Sequence, residues 1–288
     1  MPGSAGVHKL FGAAQLSHER TLPMKQLTLL LAVCLATCAQ ADNPSGTEAE
    51  RLTKVRADLK SPQAEVRLKA IGSLIHSDIS AKLREEMQAA LKDSDAEVRA
   101  TAATAVGNLG AASAPAVPAL IIQMHGDASK EARETAARAL GRIGKAAPKE
   151  SEAMTPALRT TAMKDADPVT RVVALGALAM MDIDIPEQVT GLRKYLHDDA
   201  GLVRMKAAHA LGMIGPAAKA AAPEIIVVLE KATDSHHRGY IARALGNTGD
   251  PASLPVLYKA LQAETDASAR GEMQGAIQRL GGKAPEKK

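Results

Sequence analysis

The stretch VRMKAAHALGMIG, at residues 203–215, is one copy of a pattern that recurs along the chain, and VRATAATAVGNLG, at residues 98–110, is another. Each copy contains an arginine, and successive copies of this arginine are 32, 34, 38, 33, 34 and 32 residues apart. A fixed period in the thirties indicates an array of small supersecondary units, because no single unit can bury its apolar face alone. The seven arginines that define the array are Arg67, Arg99, Arg133, Arg171, Arg204, Arg238 and Arg270.

The composition of the chain favours helices as the content of these units. The 288 residues include no Trp, one Phe and three Tyr, so the core must consist of Ala, Leu, Val, Ile and Met. Small and aliphatic side chains suit closely stacked helices, whereas β-sandwiches and barrels are richer in aromatic residues. The composition therefore predicts an all-α protein.

The spacing within one copy predicts a helix with one buried face. Counted from the arginine as zero, positions +3, +6, +7 and +10 are predominantly apolar, which is the stripe of an amphipathic helix. Position +6 is Ala in six of the seven copies, and position +8 is Gly in four of them. Because Gly inside a helix costs about 1 kcal/mol relative to Ala, we expect these two rows to mark close approach between neighbouring helices.

Glycine and proline mark the ends of the predicted helices. Position +11 is Gly in five copies, where a left-handed residue can close a helix C-terminus; these are Gly110, Gly144, Gly215, Gly249 and Gly281. A proline stands fifteen residues before the arginine in four copies and is expected in the first turn of a helix; these are Pro118, Pro156, Pro223 and Pro255. Each unit is thus predicted to contain a first helix, a short turn, a second helix with the arginine, and a Gly/Pro turn.

An aspartate precedes four of the arginines by four residues, namely Asp95, Asp167, Asp234 and Asp266. In that place Asp can cap the coming helix, and its carboxylate can pair with an arginine of the same or an adjacent unit. Residues repeated in register with caps and core positions serve the stacking itself. We therefore interpret the seven arginines as structural, with an anion-binding row as the alternative.

The repeated pattern, together with the x-P-x-L sequence that follows it, resembles HEAT repeats, in particular the short bacterial kind called HEAT-like or PBS-lyase-type repeats. The resemblance covers about residues 46–282 and is weakest in the terminal units, which have Ile75 at +8, Asp78 at +11 and Met273 at +3. Atypical terminal units are expected because each faces water on one side. The resemblance implies a right-handed α-solenoid of about seven two-helix units, within an array at residues 42–282.

The start of the chain resembles a targeting segment. Residues 24–41 contain a lysine, an apolar run and the small-x-small sequence Ala39-Gln40-Ala41, which together predict a signal peptide cut near Ala41. The mature protein is therefore expected to be periplasmic or secreted. Residues 1–23 are interpreted as a non-structural upstream extension, and residues 283–288 as a disordered tail.

Both cysteines of the chain, Cys34 and Cys38, lie in this predicted leader. A mature chain without thiols can have no disulfide, cysteine nucleophile or cysteine-ligated zinc. The alternative is a lipoprotein anchored at Cys38, because LATC at residues 35–38 approximates a lipobox. The apolar run at residues 27–36 is about half the ~20 residues that span a bilayer, and no transmembrane span is expected in the mature chain.

The charge balance identifies no class of partner. The formal net charge of +4 falls to +2 without the leader, which holds three basic residues and one acidic residue. A weak basic excess and few aromatic residues are unlike a nucleic-acid-binding surface. Nucleic acid is therefore not expected as a partner.

Two enzyme classes share the repeat that this chain resembles. Similarity to phycobilin lyases implies the handling of an open-chain tetrapyrrole inside the cell, which the predicted export signal opposes. Similarity to deoxyhypusine hydroxylase implies His-Glu pairs that hold two irons, but the sole His-Glu sequence is His18-Glu19 in the leader. The adjacent His236 and His237 would point about 100° apart on a helix and are unsuited to chelating one metal. We therefore predict no catalytic residue, metal or cofactor.

A second stripe on the second helices, at positions +2, +5 and +9, predicts a binding face. Its polar members are Thr135, Arg138, Arg142, Lys206, His209, Tyr240, Arg243 and Asn247. They flank an apolar patch that contains Val173, Gly176, Met180 and Met213. Basic groups around apolar side chains suit a protein or peptide segment with acidic and apolar features, although an ordinary solvated surface is the alternative interpretation.

The sequence thus predicts an exported, non-catalytic and monomeric HEAT-repeat scaffold that binds a protein or peptide on its concave face. Two alternatives stand beside this prediction. One is a phycobilin-lyase-like, chromophore-handling protein, and the other is a structural component of the cell envelope.

Overall fold

The computed structural model describes residues 46–283, and this part of the chain consists of fourteen α-helices in seven successive pairs, without a β-strand. The first helices of the pairs are α1 Glu48–Asp58, α3 Arg84–Ala90, α5 Val117–Gly126, α7 Ser151–Lys164, α9 Ile185–Tyr195, α11 Ala222–Lys231 and α13 Leu254–Ala263. The second helices are α2 Ala64–Ser73, α4 Ala96–Asn108, α6 Lys130–Ala146, α8 Pro168–Met180, α10 Gly201–Ile214, α12 Ser235–Thr248 and α14 Ala267–Arg279. The predicted all-α solenoid of two-helix units is confirmed.

The pairs are numbered here as units 1 to 7 in chain order. The second helix of each unit packs against the second helices of the units before and after it, and the first helix packs on the second helix of its own unit. The core between them is aliphatic, as the composition predicts: Leu140 of α6 and Leu120 of α5, for example, are fully buried. The predicted leader, the predicted cleavage site at Ala41 and residues 284–288 lie outside the described residues.

The glycines at +8 allow neighbouring second helices to touch through their backbones. A β-carbon on Gly141 would lie 2.8 Å from the α-carbon of Ala177, and one on Gly212 would lie 2.6 Å from that of Ala244. Real β-carbons do not approach that closely, so these positions require glycine. The expected close approach is confirmed, and the two rows are partners: the +8 glycine of one unit faces the +6 alanine of the next.

Every arginine of the repeat forms a hydrogen bond with the turn between the two helices of its own unit. Its Nη1 donates a hydrogen bond to the carbonyl oxygen six residues earlier, which belongs to Ser61, Asp93, Asp127, Asp165, Asp198, Ala232 and Glu264 in units 1 to 7. The structural interpretation of the arginines is consistent with this bond, because it recurs in all seven units.

Four of the arginines also form ion pairs with the following unit. The pairs are Arg67 with Asp93, Arg99 with Asp127, Arg133 with Asp165, and Arg238 with Glu264. The acid in each pair stands two residues before the helix cap. From there its carboxylate also accepts a hydrogen bond from the N–H of the cap residue, as Asp127 does from Ser129. The carboxylates of Asp95, Asp167, Asp234 and Asp266 accept N–H groups of the helix that follows. They cap as predicted, but the acids that form the ion pairs are different ones.

The middle of the array departs from this pattern. Arg171 of unit 4 donates its Nε to the hydroxyl of Tyr195 at 3.0 Å, and its guanidinium lies over that ring. Arg204 of unit 5 donates to two backbone carbonyls, and Ala232 occupies the place where other units have the acid. The contact between units 4 and 5 also lacks the +8 glycine, since that residue is Ala179.

Two predictions about helix ends are wrong at one position each. Gly110, Gly215, Gly249 and Gly281 have positive φ angles, but Gly144 does not, and α6 continues to Ala146. Gly144 instead serves packing, because a β-carbon there would lie 2.7 Å from the side chain of Met181. Pro118, Pro223 and Pro255 lie in the first turn of a helix as predicted, whereas Pro156 lies inside α7. The short turn Pro148–Glu150 leads directly into α7 and moves its start back to Ser151.

One stretch of the described chain, Gly201–Lys231, is long and apolar enough to cross a membrane by length and composition alone. It consists of α10, the turn Gly215–Ala221 and α11. The side chains of Leu211 and Ile225 in this stretch are fully buried in the protein core. We therefore interpret it as two core helices of the array.

Candidate functional site

A pocket of about 350 Å³ opens on the second helices, between α6, α8, α10 and α12. Five of the eight polar residues predicted for the binding face line it, namely Arg138, Arg142, Lys206, His209 and Tyr240. The predicted apolar patch also lines it, with Val173, Gly176, Met180 and Met213. The +2, +5 and +9 positions of successive units thus meet in one place, because the second helices stack side by side in register.

The pocket exists because one position of the stripe has no side chain. At +5, units 3, 5 and 6 carry Arg138, His209 and Arg243, whereas unit 4 carries Gly176. A β-carbon on Gly176 would lie 3.4 Å from the β-carbon of Ala210, which is an ordinary contact. This glycine is therefore not required by helix packing, and its missing side chain leaves the space that forms the pocket.

Two of the three cations at one side of the pocket share one carboxylate. Glu134 of α6 forms ion pairs with Arg138 of the same helix and with Lys206 of α10, the latter at 3.0 Å between Nζ and Oε1. Arg142 donates to the amide oxygen of Asn108. Among residues 46–283, no carboxylate lies within ion-pair distance of Arg142, and burial together with the charge of Arg138 lowers the pKa of its guanidinium.

A cluster of rings forms the opposite side. Burial, and to a smaller extent the nearby cations Arg243, Lys206 and Arg138, lower the pKa of His209 to about 4. The imidazole is therefore neutral at pH 7, and it meets the ring of Tyr240 edge to face with centroids 5.6 Å apart. The guanidinium of Arg243 lies 4.6 Å from the centroid of the same ring. This side of the pocket presents aromatic edges and a stacked cation.

The remaining three predicted residues do not line the pocket. The hydroxyl of Thr135 donates to the carbonyl of Glu131, one turn earlier in α6. Arg243 forms an ion pair with Glu272 at 3.3 Å. Asn247 lines an adjoining cavity of about 450 Å³, which shares Gly176, Met180 and Met213 with the pocket.

Several residues that line or support the site lie outside the stripe predicted from the sequence. Val172 and Met205 line the pocket from positions +1 of their units, and His236 does so from two residues before its arginine. Glu134 supports the cations from +1. The predicted stripe consists of positions +2, +5 and +9 and leaves out the neighbouring position +1, which a wider arc of the helix surface would have included. Nothing in the repeat pattern indicates His236.

The described residues contain no group of three or more His, Cys, Asp or Glu side chains that could hold a metal ion. The pocket offers permanent cations, thioethers, aliphatic carbons and aromatic edges. Such groups can bind a carboxylate beside an apolar group.

The sequence pattern of HEAT repeats matches residues 52–141, 87–162, 155–223 and 203–278. No curated protein matches the sequence significantly. Among solved structures, the complex of CpcE and CpcF of phycocyanin lyase from Nostoc sp. PCC7120 is similar, with 21% identity, coverage of 83% of this chain and 97% of that chain, and a TM-score of 0.51.

Two further solved structures are more distantly similar. Human deoxyhypusine hydroxylase in complex with glycerol has 20% identity, coverage of 83% and 99% of the two chains, and a TM-score of 0.36. Importin beta has 16% identity, coverage of 92% of this chain and 39% of that chain, and a TM-score of 0.45. The likeness to the lyase complex shows the fold alone, and these two are too distant to carry an argument.

Proposed function

This chain belongs to the HEAT repeat family, whose pattern matches it from residue 52 to residue 278, and we propose that it is an exported, non-catalytic scaffold. Its partner is a protein or peptide, bound on the concave face that its second helices form. The observation that carries the proposal is the pocket between α6 and α12, where Arg142 has no carboxylate partner among the described residues and stands beside apolar side chains.

The concave curvature of this face is supported by one ion pair. Glu134 belongs to α6 and Lys206 to α10, and these helices are separated by α8, yet their charged groups are 3.0 Å apart. Neighbouring helix axes are about 8–10 Å apart, so the two side chains meet across two helix spacings. An inward bend of this face, which the proposed concave surface requires, would bring these groups together.

The pocket's chemistry favours binding over catalysis. Its arginines remain charged at any physiological pH, and its buried histidine packs against Tyr240 rather than against a nucleophile. The likeness to the CpcE and CpcF complex favours a second candidate function. In this candidate, the pocket binds a linear tetrapyrrole. Incubation with a linear tetrapyrrole and measurement of a bound-pigment absorbance band tests that candidate directly.

Affinity capture with three proteins tests the proposed function. The residues 42–288 form is used as bait in the extracytoplasmic fraction of its host, beside a variant that combines Arg138→Gln, Arg142→Gln and Arg243→Gln. A matched control combines Lys60→Gln, Lys92→Gln and Lys149→Gln, which removes the same charge at exposed positions away from the face.

We expect a partner that the wild type and the lysine control capture and that the arginine variant loses. Equal capture by all three folded proteins would show that the partner binds elsewhere. Capture of nothing by any of them would favour a structural role in the envelope.

Export is a separate part of the proposal and has its own test. The untagged protein is expressed in its host, and the mass of the product in the extracytoplasmic fraction is measured. A mass that corresponds to a start near Asp42 supports cleavage by signal peptidase. A lipid-modified start at Cys38 would support the anchored alternative, and an intact cytosolic product would contradict export.

A further inference from the structure

We propose that the pocket binds a short motif in an extended segment of the partner: an acidic residue whose carboxylate contacts Arg142, and a large apolar residue two positions away whose side chain fills the space over Gly176. This inference rests on the proposed function and names the chemistry of the partner. Each half of the motif is carried by a different set of contacts.

The acidic half follows from the way the cations around the pocket are paired. Arg138 and Lys206 share the carboxylate of Glu134. Arg142 is partly buried, and the neutral amide oxygen of Asn108 is its hydrogen-bond partner. Because burying a charge without a counter-charge is unfavourable, a partner that brings a carboxylate to Arg142 gains both an ion pair and charge-assisted hydrogen bonds.

The apolar half follows from the lining beside Arg142. Val173, Met180 and Met213 surround the space that Gly176 leaves empty, and Met213 is 50% exposed although it is apolar. Methionine side chains are flexible and adapt to different apolar shapes. A volume of about 350 Å³ accepts one large aliphatic or aromatic side chain at the low end of known ligand pockets.

The spacing of two residues follows from the distance between α6 and α8. These helices are in backbone contact, since a β-carbon on Gly141 would lie 2.8 Å from Ala177, so their axes are at the close end of the usual ~8–10 Å. In an extended segment, residues two apart lie on the same side and about 6.7 Å apart. Residues three apart point to opposite sides. The long side chain of Arg142 covers the remaining distance.

A library of random twelve-residue peptides displayed on phage tests the motif without knowledge of the partner. Selections are run on the wild type, on Arg142→Gln, and on Gly176→Leu, which puts a side chain into the pocket. Gly176→Ala is the matched control, because its single methyl makes an ordinary contact. Met213→Gln removes part of the apolar lining and replaces Gly176→Leu in the test if that variant fails to fold. Met213 is half-exposed, so this change leaves the core intact.

We expect the wild type and Gly176→Ala to enrich peptides with an acidic residue two positions from a large apolar residue. Arg142→Gln should lose the acidic preference, and Gly176→Leu and Met213→Gln should lose the apolar preference. A synthetic peptide of the enriched sequence should bind Arg142→Gln roughly tenfold more weakly than the wild type, as expected for one hydrogen-bonded charge.

Three results would overturn the motif. One is the absence of any enrichment on the wild type, and another is an enriched sequence that all the variants retain. The third is a small amphiphilic carboxylate that native mass spectrometry detects on the wild type purified from its host and not on Arg142→Gln. A partner captured by affinity, together with any of these results, would leave the proposed scaffold function intact and remove the motif.

Discussion

The α-carbon of Ala139 lies 2.8 Å from the point that a β-carbon on Gly107 would occupy. The two residues belong to successive units, and the same relation joins Gly246 to Ala276 at 2.6 Å. The glycine row and the alanine row of the repeat are therefore two halves of a single contact. Each is required by the residue that faces it in the neighbouring unit.

Gly141→Ala should destabilise the protein although alanine favours helices. The added methyl meets the backbone of Ala177, and overpacking of this kind costs about 1–3 kcal/mol, against a gain in helix propensity of about 1 kcal/mol. Urea denaturation measures the change in the free energy of unfolding. Gly176→Ala is the control, since it gains the same propensity without a clash, and equal stability of the two variants would contradict the assigned contact.

Asp127→Asn should weaken the junction between units 2 and 3. Both oxygens of Asp127 accept hydrogen bonds from Arg99 at 2.7 Å, and the two side chains are only 6% and 18% exposed. Loss of one partner of a buried pair costs about 3–5 kcal/mol. We expect about 2 kcal/mol here, because Arg99 keeps its bond to the Asp93 carbonyl.

Glu65→Gln is the matched control for that measurement, because the pair of Glu65 with Lys69 lies on an exposed helix surface. Its unfolding curve in urea should coincide with that of the wild type. If Asp127→Asn also coincided with the wild type, the row of inter-unit ion pairs would contribute nothing to stability.

Ala232→Asp should stabilise the protein by supplying the acid that unit 6 lacks. Ala232 has φ −73° and ψ 119°, close to the φ −70° and ψ 134° of Asp127, so an aspartate there would point in the same direction. Its carboxylate would face Arg204, and a partly exposed pair contributes about 0.5–1 kcal/mol. The thermal midpoint of Ala232→Asp should exceed that of Ala232→Asn. A reversed order would show that the register of this turn differs from that of the turn at Asp127.

His209 should make the free energy of unfolding decrease as the pH is lowered from about 6.5 to about 4. Burial lowers the pKa of His209 from 6.5 to about 4, with smaller contributions from Arg243, Lys206 and Arg138. In this range the unfolded chain binds a proton at this residue and the folded chain does not, so acid favours unfolding. The total decrease in the free energy of unfolding from this residue is about 3 kcal/mol.

The measurement is the difference in unfolding free energy between the wild type and His209→Gln at several pH values. We expect the difference to change between pH 6.5 and pH 4 and to be constant above that range. A difference that does not depend on pH would show that the imidazole is solvated in the folded protein.

The fold follows from the sequence because its signals are local and repeated. A misread position in one copy is corrected by the six others, which is why the helix pairs and the +6 and +8 rows were predicted although Gly144 and Pro156 were misassigned. The acids that pair with four of the arginines were not predicted. Their identity depends on which turn residue reaches the previous unit, and the spacing within one unit contains no information about that distance.

The sequence predicted part of the membership of the candidate site, five of eight polar residues, and not its shape. The stripe at +2, +5 and +9 selects Arg138, Arg142 and His209 because helical periodicity fixes their direction. The pocket itself depends on a side chain that is missing at Gly176, which in a sequence looks like one more glycine. The glycines at +8 are required by packing, whereas this one is not, and only the neighbouring helix distinguishes the two cases.

The facing of each +8 glycine with the +6 alanine of the next unit has a consequence for how such a chain can change its length. Deletion or duplication of a period that carries both residues would bring an equivalent glycine and alanine together at the new joint, so the packing of the array tolerates a change in the number of units. The joint between α8 and α10 is different, since Ala179 stands at its +8 position and Gly176 opens the pocket beside it. An inserted or lost unit at that joint would erase the pocket, so a change in length that keeps the pocket has to leave α8 and α10 side by side.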